Sequence, residues 1–529
     1  MSESTIRAAL RRAAESWPDA PFLAYVEEDG GLTASRAQLL ERSQRVAAGL
    51  QDLGVESGDR VASTLENGPE ILEVFIASAL LGAIWVPTST ELPAPAVAQL
   101  LSETSPRVWV VATAYEAIAN DALRSGGESA RVVLVGPSTG SGALGYTDLA
   151  GSGSDLRESS LDKASPASIQ YTSGTTGRSK GIVMPNGQML AMGRTAQLAM
   201  SYGVDDVLYG CLPLYHGNAF FQQFLPAFEA GSRVSFAKRF SASRFWKDVH
   251  DTEATRLSLL GSMIPILWNR PEGPYDSAHR ASIALVIPRH PQYQDRFDAR
   301  FHVASTELYG LTDAGPVIGV PPGTTSPAGS CGQLVSWWDA ELVDEQDRPV
   351  AAGRPGELIL RPREKFITQL GYWQQPEATV SAWRNLWFHT GDLLRVDADG
   401  WYYFVDRNKD AIRRFGENVS AYEVEVALTS HDEVVDAAAY GVESDLAEQE
   451  VMAAVVLKAE RRPNIEQDLI AHCSRLLPYF AVPRYLEFLD ALPLTATAKV
   501  QKSDLRQRGV TPTAWDRGPT GKKRGQAWQ

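Results

Sequence analysis

Residues 170–181 read Q-Y-T-S-G-T-T-G-R-S-K-G and combine hydroxyl groups, glycines and one lysine. Backbone N–H groups, hydroxyl donors and a positive charge bind phosphate well, and glycines let the backbone approach it. The Walker pattern does not fit, because only two residues separate Gly177 from Lys180. Strand-like runs flank the stretch, which predicts a hairpin loop. A flexible polar loop is the alternative; we interpret the stretch as a phosphate-binding loop.

Eight further motifs follow this stretch along the chain. They are P-L-Y-H-G-N (213–218), E-L-Y-G-L-T-D (307–313), G-E-L (356–358), G-Y-W (371–373), H-T-G-D (389–392), V-D-R-N-K-D (405–410), F-G-E-N-V-S (415–420) and L-P-L-T-A-T-A-K (492–499). With these motifs the whole chain resembles the adenylate-forming superfamily, which holds acyl-CoA synthetases, luciferases and the adenylation domains of peptide synthetases. Ligases that activate carnitine-like and fatty acids look most similar, because of F-G-E-N-V-S-A-Y-E-V-E, the segment 238–249 and T-A-W-D-R near the end.

The resemblance implies a reaction in which a carboxylate attacks the α-phosphorus of ATP, giving an acyl-adenylate and pyrophosphate. Both reactants are negative, so the site must neutralise charge and align the attack. The hydroxyl-rich stretch is expected to hold the β- and γ-phosphates, and Mg²⁺ to bridge phosphate oxygens with Thr176 and Asp313 as its protein ligands. The phosphate-binding residues implied are Thr172, Ser173, Gly174, Thr175, Thr176, Gly177 and Lys180.

The motif at 307–313 is expected to bind the rest of the nucleotide. Tyr309 would stack on adenine, Gly310 would allow close approach, and Thr312 would donate to the α-phosphate. Glu307, Leu308 and Leu311 complete this part of the site. Asp313 departs from the glutamate usual in the family, so the metal position is expected to differ. In isolation, Tyr309 would be read as a core aromatic residue.

Four residues nearer the carboxyl terminus are implied to act on the nucleotide or on the hinge. Asp392 in H-T-G-D would accept hydrogen bonds from both ribose hydroxyls, and Arg407 would contact ribose or phosphate; a turn aspartate is the alternative for Asp392. Lys409 is expected at the hinge of a small domain. Lys499 is expected to reach the reacting carboxylate and the α-phosphate as a point charge. Ala498 stands where the family has glycine.

The sequence specifies the acid pocket and the acceptor less closely than the nucleotide site. His216 and Gly217 are expected to line the pocket, with a core histidine as the alternative; this region lacks the aspartate that binds an α-amino group in peptide synthetases. Residues 284–295 replace a glycine-rich turn, and Pro288, Arg289 and His290 bring bulk and charge. We expect a narrowed pocket or one that suits an unusual, small or strongly anionic acid.

Coenzyme A is the expected acceptor, with Arg413, Arg414 and Gly416 near its tunnel. A carrier-protein thiol, an amine acceptor and activation of an inorganic oxyacid such as nitrite are alternatives. A non-catalytic nucleotide-binding relative is a further one, since three departures from the family pattern support it. Retention of Lys180, Asp392, Arg407 and Lys499 argues against it.

The elements that must position these residues predict an α/β fold. Strand-like runs such as those at 108–113 and 131–136 alternate with helical patterns, and 71–86 is expected to be a buried helix. Short strands separated by turns predict a β subdomain at about 332–406. With the resemblance, we expect a large layered αβαβα N-terminal domain (1–406), a hinge (407–410) and a small mobile α+β C-terminal domain (411–529).

Composition excludes some partners and predicts a compartment. The formal net charge of −14 disfavours nucleic acid, whose phosphates call for a basic surface. Cys211, Cys331 and Cys473 are far apart and odd in number, which favours a reducing compartment. The amino terminus lacks the apolar segment of a signal peptide, and no stretch has the length of a membrane span. We therefore expect a cytoplasmic protein with a small acid as substrate.

Overall fold

A computed structural model describes most of the chain. The described residues are 4–26, 33–125, 130–137, 143–172, 180–261, 263–289, 293–321, 323–407, 412–414, 417–443, 449–494 and 500–518. Two compact units are present: unit 1 contains 1–340, 360–389 and 399–402, and unit 2 contains 341–359, 390–398 and 403–529. The predicted division at 407–410 stays a prediction, since 408–411 lie outside the described residues.

The strands up to residue 334 are short and mostly apolar. They are β1 (Pro21–Val26), β2 (Thr33–Ser35), β3 (Arg60–Thr64), β4 (Ile84–Pro87), β5 (Val108–Ala112), β6 (Arg131–Val135), β7 (Leu144–Gly145), β8 (Pro166–Thr172), β9 (Lys180–Pro185), β10 (Val207–Gly210), β11 (Arg233–Ala237), β12 (Arg256–Leu260), β13 (Ile283–Ile287), β14 (Ala304–Thr306), β15 (Leu308–Leu311), β16 (Gly315–Gly319) and β17 (Gly332–Leu334).

Helices alternate with these strands. They are α1 (Ile6–Ser16), α2 (Arg36–Asp52), α3 (Pro69–Leu81), α4 (Ala94–Thr104), α5 (Glu116–Arg124), α6 (Tyr146–Leu149), α7 (Asn186–Met200), α8 (Gly217–Ala219), α9 (Leu225–Ala230), α10 (Phe245–Asp251), α11 (Met263–Trp268) and α12 (Gln294–Phe301), with a 3₁₀ turn at Thr113–Tyr115 and a π-helical turn at Phe220–Phe224. The alternation confirms the α/β class.

Fourteen of these strands form two seven-stranded sheets. The first has the order β7-β6-β5-β3-β4-β8-β9 and the second β14-β13-β12-β10-β11-β1-β2. All pairs are parallel except β8–β9 and β1–β2. Buried parallel strands are apolar on both faces, and β5 (V-W-V-V-A) and β13 (I-A-L-V-I) have that composition.

Each sheet reverses its strand order at one place. In the second sheet the reversal lies between β10 and β12: β11 is next to β10 on one side, and β13 is next to β12 on the other. In the first sheet the reversal lies between β3 and β5. Ligands bind at the carboxyl ends of such strands. Asn67, just after β3, donates to the carbonyl oxygens of Leu212 (3.0 Å) and Ala237 (2.9 Å), which lie at the ends of β10 and β11. The carboxyl ends of both sheets therefore meet.

The remaining elements run from Trp338 to Asp516. They are β18 (Trp338–Val343), β19 (Gly356–Pro362), α13 (Pro376–Ala382), a 3₁₀ turn (Arg384–Leu386), β20 (Phe388–Val396), β21 (Trp401–Arg407), β22 (Ile412–Arg414), β23 (Glu417–Val419), α14 (Ala421–Thr429), β24 (Val434–Val442), β25 (Glu450–Leu457), α15 (Ile465–Leu476), β26 (Tyr485–Phe488), α16 (Lys502–Arg508) and β27 (Trp515–Asp516).

These elements confirm the strand-rich segment and the small α+β module. One mainly antiparallel sheet has the order β15-β16-β17-β21-β20-β19-β18, and unit 2 carries a four-stranded sheet, β24-β25-β26-β27. Val424 and Leu428 of α14 and Leu469 of α15 are buried in the core of unit 2. The Ser420 side chain caps α14 by accepting the Glu423 N–H at 3.1 Å.

One predicted element is only partly correct. The apolar stretch 71–86 is not a single helix, because α3 ends at Leu81 and β4 begins at Ile84. Gly82 has φ +76°, the left-handed conformation that ends helices and that glycine adopts without strain. The described residues include no helix with the length and apolar character needed to cross a membrane.

Candidate active site

The hydroxyl-rich stretch joins two antiparallel strands, as predicted. Thr172 ends β8 opposite Lys180, which begins β9. Residues 173–179 lie outside the described residues, as does the Thr172 side chain, so the predicted contacts of Ser173, Gly174, Thr175, Thr176 and Gly177 stay predictions. The hairpin nevertheless places Lys180 at the base of that loop.

Strand β9 also pairs with the G-Y-W motif. The Trp373 N–H donates to the Gly181 carbonyl oxygen at 2.7 Å, and the Val183 N–H donates to that of Gly371 at 3.0 Å. The Tyr372 ring consequently lies beside Lys180, whose Nζ is 4.7 Å from the ring centroid. A cation over an aromatic face is attracted by the ring electrons, so Tyr372 helps to place the lysine.

Asp313 is held by a set of hydrogen bonds. Its Oδ1 accepts from the Tyr372 hydroxyl at 2.7 Å and from Gln369 Nε2 at 2.9 Å. Its carbonyl oxygen accepts from Gln188 Nε2 at 2.9 Å and from the Thr368 hydroxyl at 3.1 Å. Gln188 Nε2 also lies 2.9 Å from the Thr312 carbonyl oxygen. The 312–313 backbone is thus fixed by α7 and by the segment preceding G-Y-W.

The electrostatics of Asp313 depend on its neighbours. Burial raises the pKa of Asp313, while hydrogen bonds from Tyr372 and Gln369 and the charge of Lys180 act in the opposite direction. Burial also raises the pKa of Tyr372, with the nearby Asp313 charge adding to it, so the phenol stays a donor. The charge of Lys180 and the hydroxyl of Tyr372 therefore both act on one carboxylate, that of Asp313.

This carboxylate fits the Mg²⁺ that adenylate-forming ligases use with ATP. Asp313 Oδ2 accepts no hydrogen bond from another described residue, and Gln369 Oε1 is a buried oxygen without a partner. No cluster of three or more His, Cys, Asp or Glu side chains occurs among the described residues. Mg²⁺ commonly binds one or two carboxylates together with phosphate oxygens and waters, which matches a single aspartate beside the predicted phosphate-binding hairpin.

The structure gives a reason why residue 310 is a glycine, and the sequence alone did not reveal that reason. Strand β15 shifts its register against β16 between Tyr309 and Gly310. A Cβ on Gly310 would lie 2.5 Å from both the Gly315 carbonyl oxygen and Pro316 Cα. Tyr309 is buried and Gly310 exposed, so the bulge turns consecutive residues to different surroundings. Adenine stacking on Tyr309 stays a prediction.

Glu307 lies at the carboxyl end of β14 and is buried. Burial raises its pKa to about 8, although the Arg289 charge and a hydrogen bond from the Arg289 backbone N–H act against the shift. Its neighbour Leu308 belongs to the hydrophobic core of unit 1, whereas Leu311 is only partly buried. Glu307 is therefore mainly a neutral acid near pH 7.

His216 and Gly217 follow β10, at the place where the strand order of the second sheet reverses. Both are partly buried, and the next turn, Phe220–Phe224, is π-helical. The rings of Phe220, Phe221 and Phe224 are fully buried, and a Cβ on Gly217 would lie 3.3 Å from the Phe221 ring. His216 and Gly217 thus lie close to buried aromatic rings, at the edge of the sheet where ligands bind in α/β folds.

Unit 2 brings together the motifs G-E-L and H-T-G-D. The Gly391 N–H donates to Glu357 Oε1 at 3.0 Å, and the Thr390 hydroxyl donates to the Leu358 carbonyl oxygen at 2.7 Å. Asp392 is buried, and its N–H donates to the Thr390 hydroxyl at 3.1 Å. These bonds fix the part of β20 that carries the predicted ribose-binding carboxylate.

Arg414, which the sequence predicts near the acceptor tunnel, makes its described contacts inside unit 2, and its tunnel role stays a prediction. Its side chain is fully buried, its Nη2 lies 2.5 Å from Glu450 Oε2, and its Nη1 donates to the carbonyl oxygens of Phe480 and Val482. These contacts satisfy the charge of the guanidinium inside unit 2. Sequence reasoning missed this because a buried partner for an arginine has no local signature.

Five further predicted site residues lie wholly or partly outside the described atoms. The side chains of Arg407 and Arg413 lie outside the described atoms, although the backbones of both belong to strands. Lys409, Gly416 and Lys499 lie outside the described residues. Their predicted roles at the nucleotide, the acceptor tunnel, the hinge and the reacting carboxylate stay predictions.

Sequence reasoning missed four residues around Asp313, including Thr368, whose hydroxyl donates to the Asp313 carbonyl oxygen. Gln188, Gln369 and Tyr372 also supply hydrogen bonds to it from positions more than 50 residues away in sequence. Tyr372 lies in G-Y-W, which the motif order already singled out without assigning a role. Gln188 and Gln369 carry no sequence signal, because a buried glutamine partner is specified only by packing.

Two protein-family profiles match this chain. Residues 10–373 match the family described as "AMP-binding enzyme", and residues 423–499 match "AMP-binding enzyme C-terminal domain". A curated crotonobetaine/carnitine–CoA ligase from Salmonella paratyphi A is 30% identical over 483 residues, covering 89% of this chain and 93% of that protein.

Solved structures of other proteins have a similar fold. The anthranilate–CoA ligase AuaEII in complex with anthranoyl-AMP has a TM-score of 0.87 at 23% identity, covering 96% of this chain and 98% of that one. ATP-bound MatB from Rhodopseudomonas palustris has a TM-score of 0.84 at 26% identity, covering 95% and 98%. The first likeness is evidence for the fold alone.

Proposed function

Because this chain belongs to the AMP-binding enzyme family, we propose that it joins a small carboxylic acid to coenzyme A through an enzyme-bound acyl-adenylate. An AMP-forming acid–CoA ligase that uses ATP and Mg²⁺ is the enzyme class that the family profile and the curated relatives support. The acid would attack the α-phosphorus and release pyrophosphate. The thiol would then displace AMP.

One observation carries the first half-reaction. Lys180, Tyr372 and Asp313 converge at the base of the hydroxyl-rich hairpin, with Asp313 Oδ1 bound by the Tyr372 hydroxyl and the Lys180 ammonium over the Tyr372 ring. A positive charge and a metal-binding carboxylate are what a triphosphate needs while an oxyanion approaches it. In unit 1, Tyr309 and Thr312 are proposed to contact the same nucleotide.

The acceptor is the less constrained part of the proposal. Coenzyme A is favoured because the curated relative at 30% identity is a CoA ligase. The adenylate is also the intermediate for transfer to a carrier-protein thiol or to an amine, which are the alternatives, as is activation of an oxyacid such as nitrite. A cytoplasmic location is also proposed, in keeping with three buried cysteines that form no disulfide bond within the described part of the chain.

Acid-dependent ATP–pyrophosphate exchange tests the first step. We expect exchange to require an acid and Mg²⁺ and to fall at least about 100-fold in Asp313→Ala, since removing a group that stabilises the transition state typically costs 10²–10³ in rate. Glu91→Ala, an exposed site, is the matched control. Nucleotide binding without exchange for any acid would instead support the non-catalytic relative.

An acceptor screen tests the second step. The adenylate formed from an active acid is offered coenzyme A, a phosphopantetheinyl carrier protein or a panel of amines, and the products are identified by mass spectrometry. We expect an acyl-CoA thioester as the main product. An amide or an acylated carrier protein as the main product would replace coenzyme A with that acceptor.

A further inference from the structure

Arg289 lies beside the place where the second sheet reverses its strand order. It follows β13, and the preceding turn packs on Gly261, the residue just after β12. The Gly261 N–H donates to the Ile287 carbonyl oxygen at 3.0 Å, and a Cβ on Gly261 would come within 2.4 Å of the Pro288 carbonyl oxygen. Arg289 therefore borders the ligand-binding edge that also carries His216 and Gly217.

Among the described residues, the hydrogen-bond partner of the Arg289 guanidinium is a neutral hydroxyl. Its Nη1 donates to the Ser326 hydroxyl, and its Nε is buried and makes no hydrogen bond. Within the described parts of the chain, no carboxylate lies within ion-pair distance of this side chain. A partly buried arginine usually has a carboxylate or phosphate partner, because its desolvated charge is otherwise costly.

Two buried acids, Glu307 and Asp298, interact with the Arg289 charge, but neither forms an ion pair with its side chain among the described residues. Glu307 accepts from the Arg289 backbone N–H, whereas the side chain extends to Ser326, and a pKa of about 8 leaves Glu307 mainly uncharged near pH 7. Asp298 is already bound by the Ser305 N–H (2.9 Å) and by Gln294 Nε2 (2.9 Å). The guanidinium thus keeps its charge available for an external anion.

We propose that Arg289 binds a second anionic group on the acid substrate, so that the enzyme prefers dicarboxylic acids over monocarboxylic acids of the same length. This inference rests on the proposed function. Arg289 is a specificity-determining residue: one carboxylate of the diacid is activated, and the other pairs with the guanidinium. A charge-assisted bidentate contact has the energy and geometry to discriminate between the two classes.

A matched panel of acids tests the inference. ATP–pyrophosphate exchange is measured with straight-chain diacids of three to six carbons, with monoacids of equal length and with the monomethyl esters of the diacids. We expect kcat/KM for the best diacid to exceed that for its monoacid and its ester by roughly 10- to 100-fold, the range for a hydrogen-bonded charge. The KM for ATP should be the same for all acids.

Three variants assign the preference to Arg289. In Arg289→Ala the diacid-to-monoacid ratio should fall by roughly 10- to 100-fold, and Arg289→Lys should recover part of it. Arg296→Ala removes an exposed arginine from the adjacent α12 and should leave the ratio unchanged. The ratio is measured within one variant, so a partial loss of folded protein does not alter it.

Two results would overturn the inference. Exchange with monoacids and diacids at equal efficiency would remove the proposed preference while leaving the proposed function intact, as would an unchanged ratio in Arg289→Ala. A rise in the KM for ATP without a change in that ratio would reassign Arg289 to the nucleotide. By contrast, no acid-dependent exchange with any acid, including a wider set, would contradict the proposed function itself.

Discussion

Replacing Glu307 by glutamine should make the protein more stable in alkaline solution. Burial raises the pKa of Glu307 from 4.5 to about 8, so the folded protein holds this proton more tightly than the unfolded chain. Its contribution to stability is fully present below pH 4.5 and is lost as pH rises to about 8. Glutamine keeps the size of the side chain and cannot ionise.

The magnitude follows from the two pKa values. Each pH unit between them removes about 1.4 kcal/mol of folding free energy, and between about pH 5 and pH 9 the loss amounts to about 4 kcal/mol. The free energy of unfolding of Glu307→Gln relative to the parent should therefore increase by about 4 kcal/mol across that interval. Other titrating groups are common to both proteins and cancel in the difference.

Denaturant unfolding at several pH values, followed by tryptophan fluorescence, measures this difference. Glu91→Gln makes the same chemical change at an exposed site and should show no such trend. Infrared spectroscopy near pH 7 should also detect a protonated carboxyl band that Glu307→Gln lacks. A stability difference that stays constant from pH 5 to pH 9 would refute the inference that Glu307 is buried as a neutral acid.

Three further substitutions test the site. Lys499→Ala should reduce adenylate formation by about 100-fold or more, measured by mass spectrometry, if its ammonium stabilises charge in the transition state. Tyr372→Phe removes a hydrogen bond to Asp313 and should raise the Mg²⁺ concentration needed for half-maximal exchange several-fold, more so at lower pH because the pKa of Asp313 rises further. Gly310→Ala should cost about 1–3 kcal/mol of stability in denaturant unfolding, because its Cβ meets the backbone of the next strand, whereas Gly153→Ala, with nothing within 4 Å, should not.

Local patterns predicted many elements correctly. The strands at 108–113 and 131–136 appear as β5 and β6, and the hairpin around the hydroxyl-rich stretch appears as β8 and β9. These succeed because buried parallel strands and tight hairpins have compositions that few other structures share. The stretch 71–86 failed as one helix because its end depends on a single glycine within a continuous apolar run.

The residues that complete the site could not be predicted in the same way. Tyr372, Gln369 and Gln188 meet Asp313 through pairing of β9 with a distant segment and through the packing of α7. Arg414, expected at an acceptor tunnel, pairs with Glu450 inside unit 2. In both cases the partner is far away in sequence, so its identity depends on which surfaces pack together.

The sequence alone determined the fold class, the order of the motifs and the residue types present in the predicted phosphate-binding hairpin. These follow from local backbone preferences and from side-chain chemistry, which need no knowledge of distant neighbours. Only the tertiary structure decided that Glu307 is buried, that Asp313 is held by four remote side chains, and that Arg289 lacks a carboxylate partner among the described residues. Burial and pairing are properties of the packed chain, because solvent exclusion and contact depend on segments that the sequence keeps apart.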